Sequence, residues 1–245
     1  MRRQNRVEIL GIGVDAVNMV EAIAIIEEFI ANGKPSIVVT ADASGIVAAQ
    51  TDERWRKIME DADLVTPDSV GVLWAAGKVG SPFEERVSGV DIVEKLAELS
   101  ARKGYRLYFL GAAPGVAQTA ADALCARFQG AVIAGVRDGY FSAAEEPDIV
   151  AHIRKANPDV LFVAMGIPKQ ETFITEHMNE IAAKVSIGVG GSFDVFSGNV
   201  KRAPHFIQNL RLEWLWRLIQ NPRKWRKVAS LPKFWWLVMR SGRRV

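Results

Sequence analysis

Val160-Leu161-Phe162-Val163-Ala164-Met165-Gly166-Ile167-Pro168-Lys169-Gln170-Glu171 is the stretch on which the fold of this chain turns. Its first half is continuously apolar, without the alternation of a strand that keeps one face in water. A strand of this kind belongs inside a parallel sheet with helices on both faces. Ligands of such sheets sit beyond the carboxyl ends of the strands. The polar trio Lys169, Gln170 and Glu171 stands at that point, after a glycine that permits close approach to the backbone. On physical grounds alone this segment is the strongest candidate for chemistry.

The flanking sequence continues the pattern. Apolar or β-branched runs predict strands over 7–13, 36–40, 105–110, 132–136 and 184–189. Helical spacing predicts helices over 20–30, 44–59, 70–76, 91–101, 114–128 and 148–155, with Pro114 in a first turn. Strand and helix alternate, and several strands are apolar on both sides. The expected fold class is therefore α/β: a Rossmann-like, largely parallel sheet with helices on both faces, plus a helical, basic C-terminal appendage. The α/β domain is expected over 1–200 and the appendage over 201–245. Within the appendage, 206–219 reads as an amphipathic helix, and Pro222 and Pro232 punctuate a second and a third segment.

Charge divides the chain at the same place. Residues 201–245 hold 12 Lys/Arg and one acidic residue, Glu213, a net +11, whereas residues 1–200 hold 19 Lys/Arg and 27 Asp/Glu, a net −8. Five of the seven tryptophans, Trp214, Trp216, Trp225, Trp235 and Trp236, lie in the basic part. An acidic body with a basic, Trp-rich end implies an anionic surface as partner. No apolar run approaches the roughly 18–20 residues needed to span a bilayer. The arginines near the start are followed by a strand-like run rather than a signal core. The lone Cys125 supports neither a disulfide framework nor a cysteine metal site, fits a reducing compartment and reads as a small buried hydrophobe.

Residues that follow strands are the candidates for function. Thr40-Ala41-Asp42 offers a hydroxyl and a carboxylate at a strand end, although Asp42 equally suits a helix N-cap. Asp68 follows Pro67 and precedes a helix-like run, so it reads either as a cap or as a carboxylate base facing a cleft. Arg86 precedes Ser88-Gly89. Its planar fork suits a diphosphate, and a salt bridge with Glu84 or Glu85 is the plainer alternative. Gly188-Val189-Gly190-Gly191-Ser192-Phe193-Asp194 is a glycine cluster that admits a phosphate or nucleotide, or else packs tightly. Gly11-Ile12-Gly13 is only a fragment of a dinucleotide fingerprint, and Gly111 to Gly115 lacks the Lys-Ser/Thr of a P-loop. His152, His177 and His205 are scattered, and no aspartate pair reads as a metal clamp, so no metal site is expected.

In this order the segments resemble the WecG/TagA/CpsF glycosyltransferases (glycosyltransferase family 26). The likeness runs through Ala62-Asp63-Leu64 to Pro67-Asp68, Glu85 to Asp91, Gly166 to Glu171, Gly188 to Gly198, Arg202-Ala203-Pro204 and Leu212 to Leu218. It covers nearly the whole chain. Each motif is weak alone, and together in register they are specific. Two departures stand out: Asp42-Ala43 where many relatives have Asn-Pro, and Ser69 where many have glycine after Pro-Asp.

The resemblance implies a metal-independent, inverting transfer of N-acetylmannosamine or a related sugar, with no cofactor. The donor would be a UDP-sugar and the acceptor an N-acetylglucosamine unit on undecaprenyl diphosphate, in teichoic-acid linkage or surface-polysaccharide synthesis. Asp68 would be the general base, Thr40 and Gln170 would hold substrate, Arg86 would engage phosphate or sugar, and Arg217 would complete the site from the C-terminal segment. Asp42, Lys169, Gly190, Gly191 and Asp194 are the further candidate substrate contacts. The expected location is cytoplasmic and peripheral, on the inner face of the cell membrane. Self-association into a homo-oligomer is compatible with the sequence. Two rival classes are weaker. A nucleotide-dependent oxidoreductase lacks an intact fingerprint. A non-catalytic protein with a nucleic-acid-binding tail would use the same Lys/Arg/Trp mixture, but Leu, Ile and Trp on one side of a helix fit a membrane interface, so no nucleic acid is expected as partner.

Overall fold

Six parallel strands in the order β4-β3-β8-β7-β5-β6 form the centre of the molecule, in a computed structural model that describes residues 5–201, 204, 216 and 225–241. The strands are β3 (Ser36–Ala41), β4 (Leu64–Pro67), β5 (Arg106–Gly111), β6 (Val132–Arg137), β7 (Val160–Ala164) and β8 (Val185–Gly188). After β3 the chain lays β4 beside it, crosses to build β5 and β6, and then fills the gap with β7 and β8. The carboxyl ends of β3, β4, β7 and β8 therefore lie side by side although they are far apart in sequence.

Each face of the sheet carries its own core. One face packs α2 (Ala43–Ala48), α3 (Glu53–Asp61), α4 (Val70–Lys78), α7 (Glu146–Ala156) and α8 (Lys169–Ile181) over Val39, Val65, Leu161 and Val163. The other packs α1 (Met19–Asn32), α5 (Gly89–Lys103), α6 (Val116–Arg127) and the short α9 (Ser192–Phe196) over Val38, Phe109, Phe162 and Ile187. Alternate residues of β7 serve opposite cores: Leu161 and Val163 one, Val160 and Phe162 the other. Every residue of that strand is buried, which is why its sequence shows no alternation. Full burial of each large side chain contributes roughly 1.5–3 kcal/mol. The Rossmann-like sheet covered on both faces is the expected fold class.

Several expected elements differ in detail. The strand predicted over 7–13 is a hairpin, β1 (Arg6–Ile9) and β2 (Ile12–Asp15), antiparallel and outside the main sheet. Leu10 (φ 53°) and Gly11 (φ 81°) make the turn, so Gly11 serves a tight reversal rather than a nucleotide loop. The hairpin seals the sheet edge: the buried Asp15 accepts from the Val65 N–H (2.7 Å) and pairs with Arg6 (3.0 Å). The helix predicted over 44–59 is broken into α2 and α3, because Asp52 accepts from the Trp55 N–H and starts a new helix. Leu64–Pro67 is a strand that the sequence reading passed over, since Pro67 can end an edge strand without a missing ladder bond. Helix α6 is capped by Gly115, which leaves Pro114 just outside the helix.

Of the appendage, the last described helix, α10 (Trp225–Ser241), runs through Pro232 instead of breaking there. Phe234 and Val238 bury themselves against α2 and α4, and Trp235 stacks on Trp74 at 6.5 Å. The helix predicted over 206–219 lies outside the described residues, apart from Trp216, whose indole N–H donates to the Lys201 carbonyl (2.9 Å).

Candidate active site

A cleft opens beyond the carboxyl ends of β3, β4, β7 and β8, where the strand order places a ligand site. Thr40, Asp42, Asp68, Gln170, Gly190 and Gly191 all line it. These residues come from four separate segments of the sequence, and the sheet brings them together. Ser88, Gly89 and Val90, at the start of α5, complete one wall with Ser192.

Each residue is held by local bonds. Thr40, buried at the end of β3, donates its hydroxyl to the Gly188 carbonyl at 2.9 Å, which ties two strand ends together. The Asp42 carboxylate accepts from the Gly45 N–H (2.7 Å) and the Ser44 hydroxyl (2.6 Å), so it caps α2 while lining the cleft. Asp68 is different. Its backbone N–H donates to the Ala41 carbonyl (3.0 Å), but the cap of α4 is Ser69, whose hydroxyl accepts from the N–H groups of Ala43 and Val72. The capping role left open for Asp68 is thus filled by its neighbour.

Arg86 is half-buried and stands 3.9 Å from Asp91, not against Glu84 or Glu85. Those two glutamates accept from the Asn18 side chain and the Met19 backbone at the start of α1. The Val87 N–H donates to the Pro67 carbonyl and the Thr66 hydroxyl to the Val87 carbonyl, which pins the chain next to Arg86 beside the end of β4. Helix α5 then begins at the cleft wall with the Ser88 cap. The positive end of its dipole and its first amides favour an anion there.

Gln170 is 1% exposed. Its amide oxygen accepts from the backbone of Gly166 and of Gly190, both at 3.0 Å, and its nitrogen donates to Glu171 at 2.7 Å. Lys169 points elsewhere: it is exposed, with its ammonium 5.3 Å from the centre of the Phe141 ring. Asp194 lies half-buried in α9 and is not among the residues lining the cleft. Arg217 lies outside the described residues.

Sequence reasoning passed over Ser88, Gly89 and Val90 as a wall, because nothing in a helix start announces that it will face a strand end. Tyr140 is 72% exposed on the loop after β6. The Gly139 N–H donates to the Ala112 carbonyl, which lays that loop across the end of β5 on the same edge of the sheet. Among the described residues, one group with metal-ligand spacing exists, Glu146, Glu176 and His177. It bridges α7 and α8 apart from the cleft, with His177 bonded to Glu146 at 2.6 Å and Glu176 paired with Arg54.

The lining combines the carboxylates of Asp42 and Asp68 with the start of α5 and the Gly190-Gly191 turn, and Arg86, next to the end of β4, is not among the lining residues. Such a site can remove a proton from one reactant while it neutralises an anionic leaving group on another. Known proteins are similar to this chain over most of its length. The glycosyl transferase WecG/TagA/CpsF family profile matches residues 7–245. An N-acetylglucosaminyldiphosphoundecaprenol N-acetyl-beta-D-mannosaminyltransferase of Bacillus spizizenii is 36% identical over 215 residues, 88% of this chain and 83% of that protein. The enzyme of the same name from Bacillus subtilis is 36% identical over 81% of this chain and 77% of its own length. That of Staphylococcus aureus (strain MRSA252) is 30% identical over 98% of this chain and 94% of its own length. This chain is an enzyme that belongs to the WecG/TagA/CpsF family of glycosyl transferases.

Proposed function

We propose that this glycosyltransferase moves N-acetylmannosamine from a UDP-sugar to N-acetylglucosaminyl diphosphoundecaprenol, with inversion and without a divalent ion. The observation that carries the reading is the convergence of Thr40, Asp42, Asp68, Gln170 and the Gly190-Gly191 turn on one cleft. Asp68 takes the proton of the attacking sugar hydroxyl; it is the lining carboxylate that does not start a helix. The UDP leaving group gathers charge as the bond breaks. The start of α5, the amide of Gly191, and Arg86 stabilise that charge. The exposed Tyr140 ring offers a flat apolar surface for the base of the nucleotide. Arg217 adds positive charge from the C-terminal segment.

The lipid-linked acceptor requires the enzyme to work at a membrane. No described helix is long and apolar enough to cross one. We infer peripheral docking on the anionic inner leaflet through residues 201–245. Their charge of +11 supports this, as does α10, which exposes Trp235 and Trp236 beside Arg240. The deciding experiment measures UDP release with a soluble lipid-diphosphate-GlcNAc analogue and a panel of UDP-sugars, with the anomeric configuration of the product read by NMR. UDP-N-acetylmannosamine should be the preferred donor and the product should carry the inverted linkage. Turnover restricted to another donor, or a retained configuration, would refute the assignment.

A further inference from the structure

The most deeply buried ionisable side chain near the cleft has no assigned part in the reaction. Glu171 is 0% exposed, in the first turn of α8, where the helix dipole favours a carboxylate. It accepts the amide N–H of Gln170 at 2.7 Å. Gln170 turns its oxygen the other way and bridges the backbone N–H of Gly166, after β7, and of Gly190, after β8. Both partners of that oxygen are donors and Glu171 accepts, so chemistry leaves one orientation for the amide. Two acceptor positions and one N–H are thereby used within the protein. At most one N–H of Gln170 remains for a ligand.

The sheet is shaped around this pair. A Cβ on Gly188 would lie 2.5 Å from the Gln170 nitrogen and 2.5 Å from a Glu171 oxygen. The absence of a side chain at 188 is what lets the pair sit over the end of β8. Ile167, Gln170, Val189, Gly190 and Gly191, from the two bridged loops, all line the cleft.

We propose that Glu171 is a positioning residue: it locks the Gln170 amide, and the locked amide clamps the loops after β7 and β8 into one rigid wall of the cleft. Gln170 on this view acts chiefly as a crosslink between loops. The consequence for transfer rests on the reaction proposed above, whereas the clamp itself does not.

Two measurements on the full chain separate these. Hydrogen exchange reads the amides of Gly166 and Gly190 without any substrate. A transfer assay reads kcat and KM. Glu171→Gln keeps an acceptor for the Gln170 N–H, and Glu171→Met keeps the length but removes the acceptor. Glu171→Met should speed exchange at Gly166 and Gly190 relative to β5 and β7, and lower kcat/KM roughly tenfold or more, since small misplacement of reacting groups is costly. Glu171→Gln should stay within about threefold of the parent in both, as expected when a single hydrogen bond is weakened but kept.

Exchange that stays slow in Glu171→Met overturns the clamp. Equal damage from Glu171→Gln and Glu171→Met overturns the role of the acceptor. If Glu171→Met does not fold, the exchanged pair decides. Gln170→Glu alone sets two carboxylates against each other and should cripple transfer and loosen both loops. Gln170→Glu combined with Glu171→Gln restores donor to acceptor and should recover both. No recovery rejects the lock. If the parent chain transfers none of the sugars tested, the reaction assignment fails, and the exchange data still decide the clamp.

Discussion

Among the cleft residues, Asp68 and Ser69 divide two tasks between neighbouring positions. Ser69 caps α4 and also bonds the first residue of α2, so Asp68 can be changed without unravelling a helix. Asp68→Asn should therefore lower kcat by about 10²–10⁴, the usual loss on removing a general base. Affinity for UDP should change little, and the melting temperature should stay close to that of the parent. An Asn variant with near-full turnover would show that the proton goes elsewhere. Gly188→Ala makes the complementary test at the sheet. The added methyl would meet the Gln170–Glu171 pair at 2.5 Å. Its expected effect is a loss of kcat/KM together with faster exchange at Gly190, a combination that simple helix loosening would not produce.

Helix α10 ties the C-terminal segment to the α/β body. Phe234 rests where Gly71 and Ala43 leave room; a Cβ on Gly71 would come within 3.6 Å of the Phe234 ring. The two helices that form this seat, α2 and α4, begin directly after Asp42 and Ser69. Docking of the appendage thus bears on the elements that follow the cleft carboxylates. Phe234→Ala should cost about 3–5 kcal/mol of docking, as for other large-to-small core changes. The α/β body should remain folded while α10 detaches. Separation of Trp235 from Trp74 would be read as a red shift of tryptophan emission. Unchanged emission would mean that the remaining contacts suffice to hold the helix.

At the scale of the whole molecule, the distribution of charge dominates. A body of −8 carries a C-terminal segment of +11, and the proposed docking on an anionic leaflet rests on this asymmetry. Each Lys/Arg near such a surface contributes about 1 kcal/mol. Flotation with anionic liposomes should be strong at low salt and weaken as salt screens the charges. Removal of residues 201–245 should abolish it while the body stays folded, with lower stability because the seat of Phe234 is left open. Binding of the truncated body to the same liposomes would reject the docking role. The mechanism makes one further demand at this scale: transfer should persist after exhaustive EDTA treatment. A strict requirement restored by Mg²⁺ or Mn²⁺ would move the search to carboxylates that hold an ion.

The sequence by itself determined the fold class, because burial on both faces leaves a composition that can be read directly, as in Val160 to Ala164. It also marked segments that the sheet brings to one cleft, since in a parallel sheet the residues directly after the strands share one edge. What it left undecided depends on contacts between distant segments. That 7–13 reverses at Leu10 and Gly11 required two positive φ angles. That Ser69 rather than Asp68 caps α4 depended on which side chain reaches the Val72 and Ala43 amides. That Lys169 leaves the cleft for Phe141, while its neighbour Gln170 turns inward, followed from adjacent positions on a helix facing different ways. The clamp of Glu171, Gln170, Gly166 and Gly190 could come only from the tertiary structure. Its members belong to β7–α8 and β8–α9, and parallel pairing of β7 with β8 brings those strand ends together. Local sequence carries periodicity and burial, whereas hydrogen-bond partners across a sheet edge are chosen by topology.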